Sequence, residues 1–172
     1  MAGKPNGARV YLDTAPVISV IKREDGLWQD GMKVLLAMDR GDIQVIASTL
    51  MLVELVGYKG DIPAGAQDGM IEKFLRQSKI QWVEVDLSIA REARELAKTH
   101  RLRGPDATHL ATAVRHDADY FMSRDAKFPY GQRIGMTKVM KPGVVWNQTI
   151  DDLEVDAQGD PSAEQTADQK AP

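Results

Sequence analysis

The sequence contains no cysteine. This absence excludes disulfide bonds, thiolate metal sites and cysteine nucleophiles, and it fits a reducing cytoplasm, which is the location we expect. No apolar run approaches the roughly 18 residues of a membrane span, so we expect no membrane partner. The first eight residues lack the apolar stretch of a signal peptide, and no glycine-rich phosphate-binding motif follows any apolar run. The last absence disfavours a nucleotide-binding protein.

Charge divides the chain into two unequal parts. Seven of the 25 acidic residues but only one of the 22 basic residues lie after residue 150, so the first 150 residues carry a formal charge of +3. A mildly basic domain is compatible with a nucleic-acid partner. We therefore predict a flexible N-terminus over residues 1–8, a single globular domain over 9–148, and an acidic, disordered tail over 149–172.

Short apolar runs alternate with helical patterns along the domain. This alternation predicts an α/β fold with a mostly parallel sheet. The expected strands cover residues 9–13, 43–47, 80–85, 120–123 and 137–140. The expected helices cover residues 16–22, 27–40, 49–56 after a Ser48 cap, 68–77 after an Asp68 cap, 86 or 88 to 100, and 105–117, with a loop over 57–67.

Four acidic residues stand where solvation does not explain them. Asp13 ends the first apolar strand, and Asp125 follows the strand at 120–123. Glu54 lies in the run LMLVELV, which predicts a helix buried nearly all round and an acid in need of a partner. Asp106 begins a helix rich in Ala and Leu, and both it and Asp13 also suit the alternative role of helix-end carboxylates.

Right-handed βαβ connections bring these four acids to one edge of the sheet. Strands end at the carboxyl edge, and the helices that follow or precede them begin there. Converging carboxylates repel one another unless a cation lies between them, and an all-oxygen site suits Mg²⁺ or Mn²⁺. The pattern therefore predicts hydrolysis by a metal-bound water, with the metal stabilising the attacking and leaving oxygens of a substrate phosphate.

Four segments in order resemble the PIN-domain family, and within it the VapC-type toxins of bacterial toxin–antitoxin pairs. The resemblance covers essentially residues 8 to 141. Its segments are VYLDT at 10–14, STLMLVE at 48–54, DATHLATA at 106–113, and ADYFMSRD at 118–125 followed by Phe128. Arg124 departs from the family, because many members have Asn there.

This resemblance implies a three-layer α/β/α sandwich and a magnesium-dependent endoribonuclease. Asp13, Glu54, Asp106 and Asp125 match the family's acidic metal-binding and catalytic positions. Thr14 and Ser123 match the family's hydroxyl residues, which would orient the carboxylates or water without binding the metal themselves. The implied partners are an RNA substrate, a cognate antitoxin and a second copy of the chain in a homodimer.

Other residues admit both a functional and an ordinary interpretation. Basic side chains flank the acidic edge and could hold substrate phosphates, although each alone could be a plain surface charge: Arg101, Arg103, Arg124 and Lys127. His109, one turn beyond Asp106, suits core packing better than metal binding. Trp28 could line a groove for a partner, but core packing is the commoner use.

Competing functions differ in how well the residues fit them. A phosphatase of the haloacid-dehalogenase type needs a second Asp two residues after the first, and Ala15 stands there. Two alternatives remain closer. One is a PIN nuclease that acts in RNA processing without an antitoxin, and the other is a non-catalytic binding module with the same fold.

Overall fold

The computed structural model describes residues 7–55, 64–77 and 79–158. In these ranges the strands form one sheet in the order β3-β2-β1-β4-β6-β5, parallel except for β5, which runs antiparallel to β6. The strands are β1 Ala8–Leu12, β2 Ile43–Ser48, β3 Ile80–Val83, β4 Tyr120–Met122, β5 Arg133–Ile134 and β6 Thr137–Met140. The helices are α1 Thr14–Lys22, α2 Trp28–Arg40, α3 Leu50–Glu54, α4 Ala64–Leu75, α5 Leu87–His100, α6 Gly104–Arg115 and α7 Ile150–Ala157.

Alternation along the strands divides the core into two layers. Val10 and Leu12 of β1 face the cluster that α1, α2 and α4 cover, whereas Tyr11 faces the cluster beneath α5 and α6. The same alternation separates Phe121 from Met122 in β4. The central strands β1 and β4 thus bury both faces, as expected for a parallel sheet between helices. The three-layer α/β/α sandwich is confirmed.

Local signals set several helix ends as expected. Gly41 ends α2 with a φ of 86°, a left-handed conformation that glycine adopts without steric cost. The Asp86 carboxylate accepts a hydrogen bond from the Ile89 amide and so caps α5. Pro105 lies in the first turn of α6, where its missing N–H costs nothing. None of the helices in the described ranges has the length and apolar character that crossing a bilayer requires.

Several elements differ from the sequence expectations. The helix α3 ends at Glu54, and its Leu52 and Val53 side chains are 42% and 67% exposed, so the expectation of a helix buried nearly all round is wrong. The helix α4 begins at Ala64, inside the expected loop, and Asp68 lies within it rather than at its cap; Ala and Gln at its start favour helix. The remainder of that loop, residues 57–63, lies outside the described residues. The two-residue strand β5 was too short for its pattern to be recognised.

The expected disordered tail is wrong for its first part, because residues 150–157 form helix α7. A capping box joins Thr149 and Asp152, and Val155 is buried. Arg40 of α2 binds the Asp152 carboxylate through Nη2, and Lys33 binds Asp156 at 2.8 Å. Two of the acidic residues that suggested disorder, Asp152 and Asp156, therefore pair with basic residues of α2. Residues 159–172 lie outside the described residues.

Candidate active site

Asp13 is fixed where the two central strands end. Its amide donates to the Met122 carbonyl at 3.0 Å, which extends the pairing of β1 with β4 by one residue. Its carboxylate accepts a 2.6 Å hydrogen bond from the Ser123 hydroxyl and is only 7% exposed. Burial raises the pKa of Asp13 above its ordinary value, although the neighbouring His109 opposes that shift. A carboxylate in this position favours an additional positive charge nearby.

Glu54 approaches the same edge from the last position of α3. Its Oε2 atom accepts hydrogen bonds from the Thr14 hydroxyl and from Nε2 of His109, the latter at 2.8 Å. Burial by itself would raise the pKa of Glu54, but these two donors outweigh it and hold the pKa below its usual value. The carboxylate is thus ionised and held in place, although its side chain is 30% exposed.

His109 is packed in the core, as expected, but it also joins the acids. Its Nε2 lies 3.8 Å from Oδ1 of Asp13 as well as 2.8 Å from Glu54, and its Nδ1 lies 2.7 Å from the Tyr11 hydroxyl. Burial alone would lower the pKa of His109, but the Glu54 hydrogen bond and the charges of Asp13 and Asp106 raise it. The imidazole therefore lies between two of the predicted metal ligands.

Asp106 enters the site from the first turn of α6. Its Oδ2 atom is buried, and no donor within the described ranges makes a hydrogen bond to it. The nearest basic atom, Nε of Arg103, is 3.5 Å away. A buried carboxylate oxygen without a donor is costly, so this oxygen is well suited to an added ligand such as a cation.

Asp125 lies in the turn that follows β4. Its amide donates to the Ser123 hydroxyl oxygen at 3.1 Å, which links it to Asp13 through that serine. Its carboxylate accepts hydrogen bonds from the amide and the ammonium of Lys127, and these outweigh burial in lowering the pKa of Asp125. The Tyr130 hydroxyl contacts the carbonyls of Ser123 and Asp125 and so braces the turn.

The structure brings all four predicted acids to one edge but arranges them around basic partners. In the part of the chain that the structure describes, no three His, Asp or Glu side chains are grouped so as to hold a metal ion as they stand. His109 separates Asp13 from Glu54, and Lys127 occupies one oxygen of Asp125. The donor chemistry nevertheless fits Mg²⁺, because the set is entirely carboxylate and one buried oxygen of Asp106 has no hydrogen-bond donor among the described residues.

The predicted substrate-binding residues separate into two groups. Arg103 and Lys127 lie beside Asp106 and Asp125, at the acidic edge. Arg124 instead donates to the Leu27 carbonyl, which lies just before α2. Arg101 ends α5 in a left-handed conformation and is exposed. Arg103 and Lys127 are therefore better placed to bind a substrate phosphate than Arg101 and Arg124 are.

Sequence reasoning missed the contribution of Tyr11 and the ionic role of His109. Tyr11 precedes Asp13 by two residues, so strand alternation places both on one side of the sheet. His109 follows Asp106 by three residues, which places both on one face of α6. These two spacings were the available signals.

Comparison with known families decides the relationship. The sequence model of the PIN domain matches residues 10–131, which is more than half of the chain. The chain belongs to the PIN domain family. The PIN domain match thus includes every one of the four acids, whereas α7 lies beyond its end.

Solved structures share this fold at low sequence identity. A chain of VapBC2 from Rickettsia felis, bound to a DNA fragment from its promoter, is 14% identical with a TM-score of 0.56, and the match covers 81% of this chain and 99% of that one. A chain of a toxin–antitoxin complex from Klebsiella pneumoniae is 22% identical with a TM-score of 0.55, and the match covers 77% of this chain and 97% of that one. Mycobacterium tuberculosis VapC20, a toxin that cleaves the sarcin–ricin loop, is 14% identical with a TM-score of 0.53. That match covers 67% of this chain and 89% of VapC20. The curated proteins include no match to this chain.

Proposed function

We propose that this PIN domain is a magnesium-dependent endoribonuclease and the toxin of a toxin–antitoxin pair. The observation that carries the proposal is the arrangement of Asp13, Glu54, Asp106 and Asp125 at the carboxyl edge, with a buried Asp106 oxygen that has no donor in the described ranges. The phosphatase alternative lacks its second Asp, because Ala15 stands there, and the nucleotide-binding alternative lacks a glycine-rich motif. The intact acids also disfavour a binding module without catalysis.

The four acids would hold the metal, with Mn²⁺ as a possible substitute for Mg²⁺. When bound, the ion would activate water and stabilise the charge that develops on the phosphate oxygens. The Ser123 hydroxyl holds one oxygen of Asp13, and the Thr14 hydroxyl holds one oxygen of Glu54. Both hydroxyls thus help to orient carboxylates of the site. Arg103 and Lys127 supply positive charge beside Asp106 and Asp125 for the RNA backbone.

RNA is the substrate that the comparisons favour. VapC20, which has the same fold, is a toxin that cleaves the sarcin–ricin loop, an RNA element. The formal charge of +3 over residues 1–150 suits a polyanion. These observations support RNA over a small phosphorylated substrate.

A cleavage assay tests the proposal directly. Purified protein is incubated with a structured RNA and Mg²⁺ or Mn²⁺, and the Asp106→Asn variant is compared with Asp68→Asn, which alters an exposed acid on α4. We expect metal-dependent cleavage by the wild type and by Asp68→Asn, and at least a tenfold loss in Asp106→Asn, roughly the size of the effects seen when metal sites are disturbed. Equal cleavage by both variants would contradict the assignment.

The proposed antitoxin docks on an apolar groove between α1, α2 and α4. Its lining includes Val20, Ile21, Met32, Leu36 and Met70, together with Trp28, which is 6% exposed. We propose that an apolar segment of the antitoxin packs there and that one of its basic side chains reaches the acids. A cation in that position would compete with the metal. We also propose a homodimer as the toxin's own assembly.

Co-expression with the product of an adjacent gene tests the partner. We expect a short protein that co-purifies, inhibits cleavage, and binds at least tenfold more weakly to Met32→Glu, because a carboxylate in an apolar groove is costly to desolvate. Cleavage by free Met32→Glu should match the wild type. The absence of any inhibitory neighbour would favour the alternative, a PIN nuclease in RNA processing. Light scattering of the free protein tests the homodimer.

A further inference from the structure

A buried chain of hydrogen bonds connects the sheet to Glu54. The Tyr11 hydroxyl accepts a hydrogen bond from the Ser48 amide at 3.1 Å and lies 2.7 Å from Nδ1 of His109. On the opposite side of the ring, Nε2 lies 2.8 Å from Oε2 of Glu54. Tyr11 and His109 are 0% and 1% exposed, so bulk water does not replace these partners.

The Tyr11 hydroxyl restricts which nitrogen of His109 carries hydrogen. Its oxygen already accepts from Ser48, and its single proton is satisfied when it donates to Nδ1. A neutral ring protonated only on Nδ1 would leave the buried hydroxyl proton without this acceptor and Nε2 without a hydrogen for Glu54. A buried polar group that loses its hydrogen-bond partner on folding is destabilising, because water does not replace the partner. The ring is therefore held in a form that carries hydrogen on Nε2.

Glu54 depends on such support because its own helix is short. The helix α3 has five residues, of which only Met51 is buried, and Val53 is 67% exposed. The donors to Oε2 come instead from Thr14 at the start of α1 and from His109 on the well-packed α6. The longer helices α1 and α6 thus fix the Glu54 carboxylate, although Glu54 belongs to the short helix α3.

We propose that Tyr11 and His109 are positioning residues for Glu54: the Tyr11 hydroxyl orients the His109 ring, and the ring's Nε2–H holds the Glu54 carboxylate beside Asp13. This inference rests on the proposed metal-dependent nuclease, since it assigns the two residues to the geometry of that site. Neither residue contacts the reacting atoms. Their effect passes through Glu54, and loss of such supporting contacts typically weakens metal binding or activity about 10- to 100-fold.

The wild-type protein alone gives the first test. Nitrogen-15 NMR of His109 at alkaline pH, where the ring is neutral, reports which nitrogen carries hydrogen. We expect the hydrogen on Nε2. A ring protonated on Nδ1 would overturn the proposal, and this result needs neither metal nor RNA.

Two substitutions at one position give the second test. The Gln side chain of His109→Gln can place an amide N–H near the position of Nε2, whereas that of His109→Asn reaches only the position of Nδ1. We expect Mn²⁺ affinity, measured by calorimetry, to fall at least tenfold in His109→Asn and less than about threefold in His109→Gln. Tyr11→Phe should give a smaller loss than His109→Asn, because Glu54 still receives its donor while the ring loses an anchor.

A matched control separates positioning from stability. Thr112→Val removes a buried hydroxyl from α6, the helix that carries His109, and this hydroxyl donates to the Thr108 carbonyl of the same helix. It should lower the melting temperature without changing Mn²⁺ affinity. Equal Mn²⁺ affinities for the folded His109→Asn and His109→Gln proteins would show a merely structural role. If the wild type binds Mn²⁺ but cleaves no RNA, the proposed function fails while the positioning role stands on its own measurements.

Discussion

Asp13 and Asp152 are both buried aspartates, yet their surroundings give them opposite properties. Asp152 is 0% exposed and accepts hydrogen bonds from the Arg40 guanidinium, the Trp146 indole and the Thr149 amide. These donors outweigh burial and lower its pKa. Asp13 has a serine hydroxyl and a neighbouring imidazole but no arginine or lysine among its described contacts, and burial raises its pKa.

The contrast shows that burial alone does not identify a functional acid. At the interface of α2 and α7, basic side chains balance the carboxylates, as Lys33 does for Asp156. At the carboxyl edge of the sheet, no lysine or arginine balances Asp13 among its described contacts, and one buried Asp106 oxygen has no hydrogen-bond donor in the described ranges. Such incomplete pairing is typical of a site that binds a cation or substrate. The partner set therefore distinguishes the structural carboxylate of Asp152 from the proposed metal ligand Asp13.

The largest effect should come from removing the charge of Asp13. Asp13→Asn keeps the shape of the side chain but removes a proposed metal ligand, so cleavage should fall at least tenfold and up to about a hundredfold. Initial rates on RNA at saturating Mg²⁺ measure this loss. Asp152→Asn serves as the matched control and should cleave at the wild-type rate. A similar loss in both variants would mean that the two aspartates do not differ as described.

The same two substitutions should change stability in opposite directions. Asp152→Asn leaves Arg40 without its ionic partner and should lower the free energy of unfolding by about 2 kcal/mol, the scale of hydrogen bonds to charged groups. Metal-free Asp13→Asn should unfold at the same or higher urea concentration than the wild type, because one repelling charge is gone. Urea titrations followed by circular dichroism measure both. A clear loss of stability in Asp13→Asn would make Asp13 a structural residue.

A smaller effect concerns pH. The folded-state pKa of Asp152 lies below its ordinary value of 3.8, so its stabilisation is complete above that value and is lost as the pH falls through the lower folded-state pKa. The folded-state pKa of Asp13 is raised, so its contribution is complete below 3.8 and is lost as the pH rises through the raised pKa. In urea titrations between about pH 3 and pH 7, the difference in the free energy of unfolding between wild type and Asp152→Asn should decrease as the pH falls. The free energy of unfolding of wild type should fall relative to that of Asp13→Asn as the pH rises.

The smallest expected effects lie at the basic residues. Lys127→Ala should raise the KM for RNA by a few-fold, roughly the value of one phosphate contact, and the increase should shrink at high salt. Arg101→Ala should change KM less, because Arg101 is exposed at the end of α5 whereas Lys127 contacts Asp125. Equal effects would show that the substrate path includes both residues.

Sequence reasoning predicted the fold and the four acids because each depends on local pattern and chain direction. Asp13 and Asp125 follow apolar strands, and parallel topology brings such positions to one edge. Partners distant in sequence could not be predicted in this way. The contact between Arg40 and Asp152 spans 112 positions, and that between Tyr11 and His109 spans 98. Composition suggested disorder where Asp152 in fact binds α2, since composition carries no information about a matching surface.

The pairing of Asp13 with Met122 also bears on how the protein is made. Because β1 is completed by β4, the four acids cannot meet until the ribosome has added Asp125. At 5–20 residues per second, the interval between synthesis of Asp13 and Asp125 is about 6–22 s. During that time the growing chain holds an incomplete site. On the proposed function, the site that would cleave RNA is therefore incomplete for most of the chain's own translation.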